Sequence, residues 1–334
     1  MEFNFLVIRQ DRIGDVVLSL PIVMNLRRDF PGCKITVLLR NYARGVYEHS
    51  PYIDRIISYD NYDLNLTGII KLAAELRKHN FTHSIMPLPG SPLNLAVFLA
   101  GIRVRISNGH KPYQFLTNTK STYRRKYIQN RHESDYCLDP VRKLALETSI
   151  RYGEIHLSED EKEKVRQLRN KLCPNGEKLI SLNSSSGNSA PNMPVSEYVN
   201  LASLLSKKGN YKVLVTDRDV NPEFGKFENV HFLEDKDDLR ELILGIAASD
   251  IMVSSSTGPM HLAGALGIRT ASVFCPLPAC SPALWGAPGE KAEYIMPDEG
   301  YCGCVCSGKP ASCQFEGKGG IDAGKVFEVI TNKA

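Results

Sequence analysis

Phe5-Leu6-Val7-Ile8-Arg9 runs directly into Gln10-Asp11-Arg12-Ile13-Gly14-Asp15-Val16-Val17-Leu18-Ser19-Leu20-Pro21. The first five residues are an apolar, β-favouring run closed by a cation, which reads as a buried strand. A Gly-containing turn follows, then a helical stretch from about Asp15 to Phe30 that Pro21 should kink or divide in two. Strand, turn and helix in immediate succession open an α/β layer with a parallel sheet. Gly14 is expected to let the backbone turn tightly and come close to a ligand. Asp15 falls in the first helical turn, where a carboxylate is either a cap and dipole partner or a chemical group of the site. The stretch is not a dinucleotide fingerprint, because G-x-G-x-x-G is absent, and this weighs against an oxidoreductase.

The same alternation continues outward. Pro31-Gly32 ends the first helix, and Lys34–Leu39, Arg55–Ser58, Thr82–Met86 and Val104–Ser107 read as further strands, with helices at Asn65–Lys78 and Pro92–Ala100. Tyr113–Ser134 has no clear period and is expected to be a mobile, basic connection. A break near Tyr152–Ser158 precedes a second series. Ser158 and Glu161 have capping-box spacing at the start of a helix reaching Leu172. Strands are expected at Leu179–Leu182, Lys212–Thr216, Val230–Leu233, Ile251–Val253 and Thr270–Phe274. Helices at Val195–Lys207, Leu239–Ala248 and Pro259–Leu266 alternate with them, and a last helix spans roughly Asp322–Thr331. There is no internal repeat. The expected architecture is α/β, with two doubly wound domains facing one cleft and ligands beyond the carboxyl ends of the strands.

With 334 residues, 43% hydrophobic and 23% charged, the chain has room for about two ordinary globular domains. Its longest apolar stretch, Leu95–Ile102, is far shorter than the ~20 residues of a spanning helix. Met1-Glu2-Phe3-Asn4 lacks the basic and apolar regions of a signal peptide, so a cytoplasmic location is expected. The net charge of +4 hides an asymmetry: residues 1–157 hold 22 Lys and Arg against 14 Asp and Glu. From Leu76 to His132, 57 residues carry ten basic side chains and no acidic one. A solvated basic face is one reading; an anionic partner is the other. The aromatics Tyr113, Phe115, Tyr123 and Tyr127 match no nucleic-acid motif, so an acidic small molecule or phosphorylated lipid fits better.

Nine cysteines without a secretion signal imply reduced thiols. Cys33, Cys137, Cys173, Cys275 and Cys280 read as small buried hydrophobes. Cys302, Cys304, Cys306 and Cys313 are clustered, but C-x-C-x-C-x6-C is not a standard zinc spacing.

Two further segments carry site chemistry. In Val253-Ser254-Ser255-Ser256-Thr257-Gly258-Pro259-Met260-His261, a strand ends in small hydroxyl residues and Pro259 opens a helix. Free backbone N–H groups at such a helix start suit a phosphate, and His261 is close enough to reach a ligand or cap the turn. Asn183-Ser184-Ser185-Ser186-Gly187-Asn188 is a second hydroxyl-rich turn beyond a strand.

Taken in order, these segments resemble the heptosyltransferase family (glycosyltransferase family 9), which builds the inner core of lipopolysaccharide. The resemblance covers most of the chain. It rests on R-x-D-R-I-G-D-V-V-L-S-L-P at Arg9–Pro21, S-T-G-P-M-H-L-A-x-A-L-G at Ser256–Gly267, and Phe274-Cys275-Pro276 with Trp285-Gly286. The family often carries cysteines in the region of Cys302–Cys313 as well. The resemblance implies two Rossmann-like domains facing a central cleft (GT-B type): an acceptor domain at 1–155, a donor domain at 156–318, and a terminal helix at 319–334 packing back on the first. It implies inverting transfer of a sugar from an ADP-linked donor to an anionic glycolipid, with no cofactor and no essential metal, by a cytoplasmic enzyme peripheral to the inner face of the inner membrane.

Asp15 then stands at the family's Gly-Asp position as general base, with Asp11 as the runner-up. Arg12, Gly14, Arg124, Arg125, Lys126 and Arg131 become acceptor contacts. Ser184, Ser185, Ser256, Thr257, Gly258, Met260 and His261 become donor contacts. Two positions depart from the family pattern: Ser256 stands where members carry Asp, and Pro191 where they carry Lys. These departures keep open a second reading, a nucleotide-sugar-binding paralogue with altered donor or lost catalysis.

Overall fold

Phe5, Leu6, Val7 and Ile8 are all wholly buried. A strand with apolar side chains on both faces belongs inside a parallel sheet covered by helices on either side. The computed structural model has this arrangement; it describes residues 3–109, 111–123, 130–187, 189–305 and 312–332, with only the backbone of 304 and 305. The chain divides into two compact units, Met1–His156 and Leu157–Ala334.

The first unit holds β1 (Asn4–Ile8), β2 (Lys34–Leu39), β3 (Arg55–Ser58), β4 (His83–Met86), β5 (Val104–Asn108) and β6 (Lys120–Thr122), in the order β3-β2-β1-β4-β5-β6. Every pairing in it is parallel, with Val7 opposite Val37 on one side and Ile85 on the other. The second holds β7 (Lys178–Leu182), β8 (Tyr211–Val215), β9 (Val230–Phe232), β10 (Ile251–Ser255), β11 (Arg269–Val273) and β12 (Ala292–Ile295), in the order β12-β11-β10-β7-β8-β9. It too is parallel throughout. Read from its other edge, the second sheet repeats the order of the first. Each therefore reverses the direction of strand addition once, between β1 and β4 and between β7 and β10.

Local chemistry explains the helix boundaries. The first helical stretch is divided as Pro21 requires, into Ile13–Leu18 and Leu20–Asp29. At the join, Ser19 Oγ donates to the Val16 carbonyl at 2.7 Å. Ser158 Oγ accepts from the Glu161 N–H at 3.2 Å while Glu161 accepts from the Ser158 N–H at 2.8 Å, the expected capping box. Helix Val195–Lys208 stops at Gly209, whose φ of 81° is open to glycine at little strain.

The structure differs from two expectations. Tyr113–Ser134 is not a structureless connection: it contains helix residues of Pro112–Thr117, all of β6 and the first residues of helix Glu133–Cys137. Edge strands β6 and β12 were absent from the sequence reading, because Lys-Ser-Thr and Ala-Glu-Tyr-Ile carry little apolar signal. The terminal helix, Ala323–Thr331, joins the core of the second unit. Val326 and Ile330 are fully buried in one core with Tyr198, Leu201 and Leu205. Its amino end is fixed there as well, since Glu197 accepts from the Ala323 N–H at 2.8 Å. Ile330→Ala should lower the unfolding free energy by about 2–5 kcal/mol, the usual loss for emptying a closed aliphatic site. Urea unfolding of the full chain measures this, and an unchanged midpoint would mean the helix is not held by this core.

Candidate active site

In an open α/β sheet, ligands bind beyond the carboxyl ends of the strands where strand order reverses. In the first unit the segment leaving that point is Arg9–Asp15. Arg9 is 3% exposed, and its Nη2 lies 3.0 Å from Asp11 Oδ2 and 3.3 Å from Asp15 Oδ1. Its Nη1 donates to Cys137 Sγ at 3.7 Å. Burial alone would lower the Arg9 pKa, but the surrounding Cys137, Asp11, Asp15 and Glu133 more than offset it and raise it. Burial pushes the Cys137 thiol up to about 12, so at neutral pH the countercharge comes from the carboxylates. Burial also raises the Asp11 pKa, with Arg9 pulling it down and Asp15 pushing it up again.

The two candidate carboxylates, Asp11 and Asp15, are thus brought together by Arg9, whose part is invisible without its neighbours in space. Asp15 is the more accessible, with its side chain 25% exposed against 11% for Asp11. Among the described residues it meets Arg9 through Oδ1 alone. The neighbouring loop is tied in as well: Gln10 Nε2 donates to the Leu88 carbonyl at 3.2 Å, just beyond β4. Arg12 is exposed in the N-cap position. Gly14 is buried inside the helix and has no positive φ, so the tight turn expected of it is made without it.

In the second unit two segments leave the reversal point. After β7, Asn183, Ser184 and Ser185 wrap the carboxylate of Asp217, which is 1% exposed. Asp217 accepts from the Ser184 N–H at 3.0 Å, the Ser184 hydroxyl at 2.8 Å, the Ser185 N–H at 2.9 Å and Asn183 Nδ2 at 3.1 Å. Burial raises its pKa and the Ser184 and Ser185 bonds oppose this. The Ser184 hydroxyl proton and both backbone N–H groups are therefore committed to Asp217. The exposed Ser185 side chain is not so committed. Asp217 went unnoticed in the sequence, although an acid immediately beyond a strand at the ligand edge was signal enough.

After β10, Thr257 is the extended N-cap of helix Gly258–Ala265, with Pro259 in its first turn and no side-chain cap. Ser255 Oγ is buried without a hydrogen-bond partner among the described residues. Ser256 is half-buried, while Thr257 and His261 are buried. Met260 is fully buried against Phe274 and Ala287, so its side chain belongs to the core and only its backbone can meet a ligand. Beside the β7 loop lies a cavity of about 760 Å³, lined by Ser184–Gly187, Asn192–Val195, Asp219–Pro222 and Ser312–Gln314. That volume lies in the range of small-molecule sites.

The remaining candidates divide. Arg131 is bonded to Asp135 at 2.7 Å and to Asp139, and lies 4.1 Å from the Tyr136 ring centroid. Its charge is paired within the unit. Arg124, Arg125 and Lys126 lie outside the described residues. Cys33, Cys137, Cys173 and Cys275 are buried, and Cys280, Cys302 and Cys313 half-buried. Among the described residues no three His, Cys, Asp or Glu side chains are grouped to hold a metal ion. Among them, too, no helix is long and apolar enough to cross a membrane.

No family model matches the chain. It is 26% identical over 306 residues, 87% of this chain and 88% of the other, to a Haemophilus influenzae protein named "Putative glycosyltransferase". The glycosyl transferase family 9 structure from Veillonella parvula superposes over 99% of this chain and 97% of its own, at 18% identity and a TM-score of 0.82. The E. coli ADP-heptose lps heptosyltransferase II structure does so over 100% of both chains, at 19% identity and a TM-score of 0.75. The two-sheet architecture is thus the GT-B-like α/β fold of the family 9 heptosyltransferases, as the sequence resemblance implied.

Asp217→Ala should lower the unfolding free energy by about 1–3 kcal/mol, because it leaves buried donors unsatisfied. Since the folded-state pKa of Asp217 is raised, its contribution is complete below the ordinary carboxylate range and declines as pH rises through the raised value. The stability gap between native and variant chains, measured in urea, should therefore be widest in acid and narrow toward neutral pH.

Proposed function

We propose that the chain is an inverting glycosyltransferase of the heptosyltransferase kind. In this reading it moves a sugar, heptose, from an ADP-linked donor to an anionic glycolipid of the lipopolysaccharide-core type at the inner face of the inner membrane. The observation that carries the reading is the carboxylate pair fixed on buried Arg9 at the reversal point of the first sheet. It is supported by the heptosyltransferase fold and by the helix start that follows β10 in the second.

The chemistry follows from these groups. An acceptor hydroxyl attacks the anomeric carbon from the face opposite the leaving group, and its proton passes to Asp15, the general base. Asp11 is the second choice, being more buried and held by two hydrogen bonds through Arg9 and the Gln10 N–H. The bond from the anomeric carbon to the ADP oxygen breaks, and negative charge grows on the terminal phosphate. Backbone N–H groups of Gly258 and Met260 in the first turn of that helix, and its positive end, stabilise that charge. The Ser185, Ser256 and Thr257 hydroxyls supplement them.

Asp15→Asn should reduce turnover by about 10²–10⁴-fold with ADP binding nearly unchanged, read by ADP release and by calorimetry. Near-native turnover would move the base elsewhere, to Asp11 first. Ser256 and Pro191 favour the second reading, an altered or retired donor site. A lysine–phosphate bond contributes ~1.5–3 kcal/mol, so Pro191→Lys with Ser256→Asp should tighten ADP-heptose binding roughly tenfold or more. No tightening in the double variant would point to a different nucleotide sugar or to a protein that has left catalysis.

A further inference from the structure

Cys275-Pro276-Leu277-Pro278-Ala279-Cys280 leaves the carboxyl end of β11, close after Val273. Its two prolines have fixed φ angles and no N–H group, so few conformations are open to it. One turn of 3-10 helix at Pro278–Cys280 folds it back, and the Cys280 N–H donates to the Leu277 carbonyl at 2.8 Å. The fold-back joins its ends. The Cys275 thiol hydrogen-bonds that of Cys280, and on another side that of Cys302. Cys275 belongs to the core of the second unit and is 3% exposed, while Cys280 and Cys302 pack against that core half-buried. These are pairwise contacts, since among the described residues no three such side chains are grouped for a metal ion. A lone buried cysteine is a small hydrophobe; two thiols in contact have redox chemistry open to them.

The pair is unequal. Contact with Cys280, together with burial, holds the Cys275 thiol above the usual thiol range, so it stays protonated. Cys280 is the member that solvent reaches. Next to it, the Ala279 carbonyl accepts from Trp285 Nε1 at 2.9 Å. Trp285, the only tryptophan of the chain, packs against the buried cluster of Met260, Phe274 and Ala287. Phe274 adjoins Cys275, and Met260 lies in the first turn of helix Gly258–Ala265. The cysteine loop, the indole and the helix start after β10 therefore form one chain of contacts.

We propose that Cys275 and Cys280 are a reversible disulfide site, closed by exchange with a small-molecule disulfide, and that closure is felt through Trp285 at the helix start after β10. The Cys280 thiolate attacks one sulfur of the small disulfide, whose S–S bond breaks to release a thiolate. The Cys275 sulfur then attacks Cys280, and the bond from Cys280 to the second small thiol breaks. Each departing thiolate takes up one of the two protons that the protein thiols give up. The protein thiols lose two electrons in all, and the small disulfide is reduced to two thiols. Cys280 is the partner ahead of Cys302 because it lies five residues from Cys275 in a stiff turn, where ring closure loses little chain entropy. A bridge of this kind in reducing surroundings is transient and serves to sense oxidants, in keeping with the reduced thiols of the structure. The inference needs neither a donor nor a sugar.

The test is peptide mapping of the full chain after incubation with oxidised glutathione and alkylation in denaturant. No Lys or Arg lies between Thr270 and Glu290, so trypsin leaves Cys275 and Cys280 in one peptide, Thr270–Lys291, and Cys302 in the one that follows. Peptide Thr270–Lys291 should lose both alkylation sites and two hydrogen atoms, and dithiothreitol should restore them. Trp285 emission should shift on oxidation and return on reduction. Cys280→Ser should keep Cys275 alkylatable and the emission constant, whereas Cys302→Ser should behave as the native chain, with the thermal midpoints of both reduced variants close to native. The inference is overturned if both thiols remain alkylatable, if glutathione stays bound to Cys280, if Cys275 is linked instead to the peptide carrying Cys302, or if Trp285 emission is the same in both states.

Discussion

A parallel sheet grown first one way and then the other cannot close the gap where its two directions part. The helices on either side of the reversal cover opposite faces, so nothing crosses the carboxyl ends of the two strands between them. Both sheets here obey this constraint, and both put their least ordinary chemistry at the gap. Arg9–Asp15 follows β1, Ser184 and Ser185 follow β7, and Ser256–His261 follows β10. The apolar strands dictate the topology, and the topology selects which loops are free to act.

Each gap contains a buried charge, and the two are stabilised in opposite ways. Arg9 is a cation whose partners are anions. An unpaired buried ion costs several kcal/mol, so the two carboxylates are held to the guanidinium as firmly as it is held to them. The arrangement fixes Asp11 and Asp15 without side-chain entropy to lose when a substrate arrives, the form of preorganisation that a reacting group requires. Asp217 is an anion whose partners are neutral donors: two backbone N–H groups, a hydroxyl and an amide. Such bonds are individually weaker than ion pairs, and the burial that raises its pKa shows that they do not fully offset desolvation. What they secure is the course of the loop, because three successive residues point at one carboxylate.

Much of this was legible in the residues. Pro21 divided its helix where it had to, Ser158 and Glu161 closed their box, and strands Lys34–Leu39 and Arg55–Ser58 have the limits read from the sequence. These features depend on neighbours in the chain. What escaped depends on neighbours in space. Lys-Ser-Thr becomes β6 only because β5 offers an open edge, and Arg9 becomes a clamp only because Cys137, far along the chain, closes over its other side. The Met260 side chain, likewise, is placed in the core beside Phe274 by its position in the helix.

The loop around Pro191 is braced from several sides. Asn192 Nδ2 donates to the Ser184 carbonyl at 2.7 Å, the Tyr198 hydroxyl donates to Asn192 Oδ1 at 2.6 Å, and the Asn192 N–H bonds the Cys313 carbonyl at 3.1 Å. Pro191 is buried immediately before this brace, with its φ fixed and no N–H to satisfy. A long flexible lysine at that position would have to leave the packed wall to reach a phosphate, and ordering it would cost side-chain entropy of up to ~2 kcal/mol. Proline makes the wall stiffer and carries no charge. In the proposed transferase, recognition of the donor phosphates then falls to the helix start after β10, where oriented N–H groups supply ~0.3–1 kcal/mol without any side chain to order. In that proposal the contact is weak but already in place, and selectivity for a donor comes from the shape of the cavity beside Ser184–Gly187 more than from charge.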